Sequence, residues 1–190
     1  MRPLLPIILI LYSTFAYSSP PSSQEAELYA GLLGWAIKLS GYQRPAISPT
    51  VEFVPQEFFD AHACGGKRCH VWGWYPNTSK EIVYVHEAAR ELIEDGSDPR
   101  GLLAASIIVH EFTHFLQAAN RGFARYSCEE ALELEREAYN VQNTYIVAYG
   151  RYMPVGVSMH NAGCGGNASE RSVSLGPIMK EALSGANTHP

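Results

Sequence analysis

Residues 106–117 read SIIVHEFTHFLQ, an apolar stretch that three titratable side chains interrupt. These are His110, Glu111 and His114, and they form the pattern H-E-x-x-H. Polar side chains are costly in an apolar element unless partners compensate for the water they lose. Because residues four apart lie on one face of a helix, both imidazoles can reach a single zinc ion. The stretch therefore predicts a metal-binding helix.

Glu111 follows His110 directly, where its carboxylate can face water at the metal. Zinc lowers the pKa of water toward neutrality, so a neighbouring carboxylate can take the proton while the oxygen attacks a carbonyl carbon. This chemistry makes Glu111 the predicted general base. The alternative is a pair of packed, hydrogen-bonded core histidines that hold no metal.

Catalytic zinc needs a third protein ligand and an open position. The compact form H-E-x-x-H-x-x-G-x-x-H is absent, because positions 117 and 120 are Gln and Asn. The next helical pattern, SCEEALELEREAYNVQ, carries five glutamates: Glu129, Glu130, Glu133, Glu135 and Glu137. Helical phase places Glu135 on the apolar stripe of this helix, whereas Glu137 points the other way. We therefore predict Glu135 as the third ligand, with Glu137 as the alternative.

The combination of H-E-x-x-H with EREA at residues 135–138 resembles the gluzincin branch of zinc metallopeptidases, in which a second helix carries E-x-x-A. The resemblance covers residues 99–149, and the wider pattern is similar to small bacterial H-E-x-x-H proteins. It implies Zn²⁺ as the cofactor, held by His110, His114 and Glu135. It also implies an α+β fold, a compact zincin-like single domain with an active-site helix, a glutamate helix and a small mixed β-sheet.

The same resemblance implies a zinc-dependent hydrolase, a metallopeptidase with a peptide or protein substrate. An edge strand beside the cleft commonly binds peptide in this fold, and residues 81–86 are the expected strand. An ordinary core strand is the alternative for that segment. A downstream side chain often stabilises the oxyanion, and four are available: Tyr145, Tyr149, Tyr152 and His160. Two other functions remain open, a catalytically silent zinc-binding module and an envelope amidase or esterase.

The N-terminal residues, MRPLLPIILILYSTFAYSSP, have the features of a secretory signal. Arg2 gives a positive start, residues 4–16 form an apolar run too short to span a bilayer, and small residues follow. We expect a signal peptide over residues 1–18 and one domain over residues 19–190. The protein would then be secreted or periplasmic, without stable membrane insertion after signal cleavage. A buried N-terminal helix is the alternative.

Charge and cysteine content restrict the partners and the compartment. The net charge is −5 and no basic stripe is present, so we expect no nucleic-acid partner. Cys64, Cys69, Cys128 and Cys164 are an even set in an exported chain, which predicts two disulfide bonds. Of three pairings, Cys64–Cys69 with Cys128–Cys164 is the simplest, and the second bridge would hold His160 near the cleft. A cysteine zinc site is disfavoured because no C-x-x-C pair occurs.

Caps and periodicity predict the remaining elements. A capping box of Ser22 and Glu25 begins a helix that stops at Gly41, and Asp98 before Pro99 begins the motif helix. The other expectations are a strand over 51–54, a short helix over 56–63, a hairpin of strands over 70–75 and 81–86, a long helix over 129–149 and a last helix over 177–183.

Overall fold

The fold consists of helices that enclose a small sheet, and it is seen in a computed structural model that describes residues 22–76, 81–94, 98–122 and 127–164. The expected signal peptide and the helix expected over 177–183 lie outside these ranges. The predicted α+β class is confirmed. In chain order the elements are α1 (Ser23–Ser40), β1 (Thr50–Val54), α2 (Gln56–His62), β2 (Gly73–Trp74), β3 (Ile82–His86), α3 (Ala88–Glu94), α4 (Pro99–Arg121), α5 (Cys128–Ala148) and a 3₁₀-helix (Val157–His160).

The sheet has the order β1-β3-β2, with β1 parallel and β2 antiparallel to β3. The expectation that residues 81–86 form an edge strand is therefore wrong, because β3 lies in the middle. Its Val83 and Val85 are fully buried, as befits a strand that is paired on both sides and covered by α4. Within the described residues, the edges are β1 and β2.

The predicted hairpin is present but its first strand is short. Only Gly73 and Trp74 pair with β3, and the His86 N–H continues the ladder by donating to the Trp72 carbonyl at 2.9 Å. Beyond Trp74 the backbone meets α4, where the Tyr75 N–H donates to the Glu111 carboxylate. The strand that follows the cysteine loop therefore contacts the motif helix directly.

Helix α4 is the centre of the core. Asp98 caps its N-terminus by accepting the Arg100 N–H at 2.8 Å, Pro99 fills the first turn, and Gly122 follows its end, all as predicted. The helix packs against α1, α3, α5 and the sheet. It is long and apolar enough to cross a membrane, but 83% of its apolar window is buried inside the domain. It is therefore a core helix.

Helix α5 packs along α4 and is tied to the segment that follows it. Ser127 and Glu130 form a capping box at its start, which explains one of the five glutamates. The Cys128–Cys164 disulfide joins this start to the tail, and Cys64–Cys69 closes the loop before β2. Both predicted pairings are confirmed.

Candidate metal centre

His110, His114 and Glu135 meet where α4 faces α5. The two Nε2 atoms lie 3.1 Å apart, and the Glu135 oxygens lie 3.5 Å from His110 Nε2 and 3.4 Å from His114 Nε2. A tetrahedral zinc ion with bonds of about 2.0–2.1 Å separates its ligand atoms by about 3.3–3.4 Å. The two nitrogens and the carboxylate, whose Oε2 faces His110 and whose Oε1 faces His114, are therefore close enough together to share one metal ion.

One carboxylate oxygen of this cluster lacks the partner that burial demands. Glu135 Oε2 is buried without a hydrogen-bond partner among the described residues, although it lies next to His110. Buried polar atoms are nearly always satisfied, so an acceptor without a partner indicates a place where an ion can bind. A divalent cation between the two imidazoles would satisfy this oxygen. The residues present therefore fit a metal ion.

Electrostatics favour positive charge at the same point. Burial would raise the pKa of Glu135, but the neighbouring His114 and His110 hold it well below its usual value. Burial opposes a charge on His114, yet Glu135 and Glu111 outweigh it and raise the pKa of His114 to about 9. The cluster therefore stabilises a cation, and a metal ion would take the place of the proton.

Glu111 lies beside the cluster with its side chain directed at β2. The residue is 6% exposed and its carboxylate accepts the Tyr75 N–H. Burial raises its pKa, against the lowering effect of His110 and His114. The carboxylate is thus more basic than an exposed glutamate, as a proton acceptor requires.

A cleft lies beside the cluster, at His110 and Glu111, and encloses about 500 Å³, including space open to solvent. Its first wall is the segment leading into β2, and its opposite wall is the chain after α5, at Val155 and Gly156. The lining residues are His70, Val71, Trp72, Gly73, Ile107, His110, Glu111, Tyr139, Gln142, Val155 and Gly156.

The second wall is held in place by α5. Asn143 donates to the Val155 carbonyl at 3.0 Å and accepts the Val155 N–H at 2.9 Å. Arg136 donates to the Met159 and Ala162 carbonyls at 3.0 and 2.6 Å. With the Cys128–Cys164 bridge, these contacts fix the tail against the helix that carries Glu135.

Tyr139 is a cleft residue that sequence reasoning missed. Its ring centroid lies 4.4 Å from that of His110, and it follows Glu135 by one helical turn. Burial, together with the nearby carboxylates of Glu135 and Glu111, raises its pKa, so the hydroxyl stays protonated. Its position four residues after the predicted ligand, on the same helical face, was the available signal.

The four side chains expected near the oxyanion are not among the residues that line this cleft. Tyr145 is buried against Trp35, with ring centroids 5.7 Å apart, while Tyr149 and Tyr152 are exposed. The Cys128–Cys164 bridge does hold the tail, but the His160 side chain points to solvent. The bridge therefore positions Val155 and Gly156, and His160 does not reach the cleft.

Glu137, the alternative ligand, lies outside the cluster. Its Oε2 accepts hydrogen bonds from Tyr42 at 3.0 Å, Gln117 at 3.1 Å and Arg121 at 2.9 Å. Helical phase had directed this carboxylate away from the core, but α4 and Tyr42, in the chain that follows α1, bind it. The structure thus brings Glu135, and not Glu137, to the two histidines.

Comparison with known proteins returns no match to a family model, a curated protein or a solved structure. The class of the protein is therefore defined by its own fold and site. These are a compact α+β domain with two disulfide bonds and a buried His-His-Glu cluster consistent with a zincin-like metal site.

Proposed function

We propose that the protein is an extracytoplasmic zinc-dependent hydrolase, specifically a metallopeptidase. The observation that carries the proposal is the convergence of two imidazole nitrogens and a carboxylate within 3.1–3.5 Å, beside a buried glutamate in an open cleft. Two histidines and a carboxylate are an established ligand set for catalytic zinc. The two disulfide bonds support an oxidising compartment.

His110, His114 and Glu135 would hold a zinc ion, which would supply the Lewis acidity that polarises a carbonyl group and lowers the pKa of water. Glu111 performs the proton transfers. Its buried, more basic carboxylate takes a proton from the attacking water and then delivers it to the leaving amine. The Tyr75 N–H holds the carboxylate in place between these two transfers.

Tyr139 is the hydrogen-bond donor that we assign to the developing oxyanion. It lines the cleft next to His110, and its hydroxyl is protonated because burial and two carboxylates raise its pKa. A preorganised neutral donor stabilises negative charge that appears only in the transition state. The packing of Gly156 against the Tyr139 ring restricts the ring to this position.

The edge strand β2 supports a peptide as the substrate. In the described part of the chain, β2 pairs with β3 alone, and the segment that contains it forms one wall of the cleft. An extended peptide can add to such an edge through main-chain hydrogen bonds. Because Gly73 lies against Glu111, a peptide bound there would present its backbone to the general base.

The test compares wild-type protein with Glu111→Gln on a peptide library, on casein and on labelled envelope fragments. We expect peptide turnover by the wild type and a loss of about 10²- to 10⁴-fold in the variant, with zinc content unchanged. Glu133→Gln, an equal change at an exposed site on α5, is the matched control. Equal turnover by Glu111→Gln and wild type would contradict the proposal. Turnover of envelope fragments alone would indicate an amidase or esterase, and zinc binding without turnover would indicate a silent module.

A further inference from the structure

Gln117 lies three residues after His114 on α4 and is 1% exposed. Its amide nitrogen donates to the Leu134 carbonyl at 2.9 Å and to Glu137 Oε2 at 3.1 Å. A carbonyl and a carboxylate are acceptors only, so they fix which end of the amide carries the nitrogen. The Gln117 oxygen must therefore be the atom that faces His114.

The orientation of this amide determines the protonation of His114 Nδ1. Gln117 Oε1 lies 2.8 Å from Nδ1, and because an amide oxygen can only accept, Nδ1 must carry the hydrogen. The Nε2 atom is left to face His110 and Glu135, at 3.1 and 3.4 Å. A histidine ligand needs this arrangement, with one nitrogen held by a hydrogen bond and the other free for the metal.

Glu137 supports Gln117 from behind. Besides the Gln117 amide, its Oε2 accepts the Tyr42 hydroxyl at 3.0 Å and Arg121 Nη2 at 2.9 Å. The Arg121 guanidinium also lies 5.4 Å from the centroid of the Tyr42 ring. The carboxylate is thus fixed by α4 and by the chain that follows α1, and it holds the amide in one orientation.

His110 has no comparable support. Its Nδ1 is buried without a hydrogen-bond partner among the described residues, and the ring packs against Tyr139 instead. The two histidines of the cluster are therefore oriented by different means. Hydrogen bonds orient His114, and ring packing orients His110.

We propose that Gln117 and Glu137 are positioning residues of the metal site. Together they form a hydrogen-bonded chain that holds the His114 ring in the orientation that binds zinc. The inference rests on the proposed function, since it assigns a purpose to residues behind a proposed ligand. It gives a role to Gln117, which occupies the glycine position of the compact zinc motif, and to Glu137, which lies outside the metal cluster. Partners of this kind typically change metal affinity by about 10- to 100-fold.

The experiment measures zinc dissociation constants by chelator competition for wild type, Gln117→Leu, Glu137→Gln and the double variant. We expect Gln117→Leu to weaken zinc binding by about 10- to 100-fold and Glu137→Gln to weaken it less. Because Glu137 acts through Gln117, the double variant should bind zinc no more weakly than Gln117→Leu alone. Glu133→Gln removes an exposed carboxylate from the same helix and should leave the affinity unchanged.

A second readout does not depend on metal. In protein labelled with ¹⁵N-histidine, the His114 Nδ1–H should exchange slowly with solvent in the wild type, with or without zinc, and rapidly in Gln117→Leu. Unchanged zinc affinity in Gln117→Leu, or His114 Nδ1–H exchange as slow as in the wild type, would contradict the positioning role of Gln117 and Glu137 and leave the proposed function intact. Absence of zinc binding by the wild type would contradict both the proposed function and the positioning role of Gln117 and Glu137.

Discussion

Gly73 on strand β2 lies directly against Glu111 on helix α4. A Cβ atom at position 73 would lie 2.5 Å from Glu111 Oε1 and 2.7 Å from its Cγ, closer than such atoms approach one another. The strand can therefore reach the general base only because residue 73 has no side chain. This close approach also brings the Tyr75 N–H to the Glu111 carboxylate.

We predict that Gly73→Ala lowers turnover by about 100-fold, because a small displacement of a reacting group has an effect of this size. The zinc content should be unchanged, since the three atoms nearest to such a Cβ belong to Glu111 and Ile107, which are not proposed ligands. Gly34→Ala is the control, because its Cβ would meet nothing within 4 Å. That change should leave activity intact and stabilise α1 by about 0.5–1 kcal/mol. Wild-type turnover in Gly73→Ala would contradict the placement of Glu111.

Tyr139→Phe tests the proposed oxyanion donor. We predict a fall in kcat of about 10²- to 10³-fold with little change in KM, because the hydroxyl acts on charge that develops in the transition state. The ring contact with His110 is retained, so zinc affinity should stay at the wild-type value. Steady-state kinetics of Tyr139→Phe are compared with those of Tyr149→Phe, which makes the same change at an exposed site. A similar loss in both variants would argue against the role of Tyr139.

The two disulfide bonds should contribute unequally to stability. Cys128–Cys164 spans 36 residues and Cys64–Cys69 spans 5, and the entropy removed from the unfolded chain increases with the size of the closed loop. Replacing both cysteines by serine should cost about 4 kcal/mol for the longer bridge and about 2 kcal/mol for the shorter one. Urea unfolding of the two double variants measures the difference. A larger loss on removal of the shorter bridge would contradict this ranking.

His86 makes stability depend on pH. It packs against Phe59 and Trp72, and its Nδ1 accepts the Ala88 N–H at 3.2 Å, which requires an unprotonated nitrogen. Burial lowers the pKa of His86 from its ordinary value of 6.5, although Glu87 and Glu57 raise it.

His86 binds a proton less readily in the folded state than in the unfolded state. Its contribution to the free energy of unfolding is therefore complete above pH 6.5 and is lost as the pH falls through the lower pKa of the folded state. We predict that the unfolding free energy of the wild type, measured with a chelator present, falls more steeply from about pH 7 to about pH 5 than that of His86→Asn. Parallel curves for the two proteins would show that His86 does not carry this dependence.

Local signals predicted the helices well. Asp98 with Pro99, Gly122, and the capping box of Ser22 and Glu25 lie within one turn of the ends they fix, so short-range hydrogen bonding decides these boundaries. Helical phase likewise brought Glu135 to the histidines, because both helices present one face to a shared core.

Contacts between distant segments were not predictable in the same way. The parallel pairing of β1 with β3 places β3 in the centre of the sheet, and nothing within residues 81–86 specifies that partner. The surroundings of Glu137 depend on Tyr42, which lies 95 residues earlier in the chain. The role of Tyr139 becomes visible only when the tail supplies Gly156 as the opposite wall.

Zinc binding by wild type, Glu135→Ala and Glu133→Ala, measured by titration and by elemental analysis, decides whether His110, His114 and Glu135 hold a metal ion. We predict that wild type and Glu133→Ala each bind a single zinc ion per chain. Glu135→Ala should fail to retain it, because Glu135 is the carboxylate that, among the described residues, lies within 3.5 Å of both imidazoles. Full zinc occupancy in Glu135→Ala, or none in the wild type, would contradict the account.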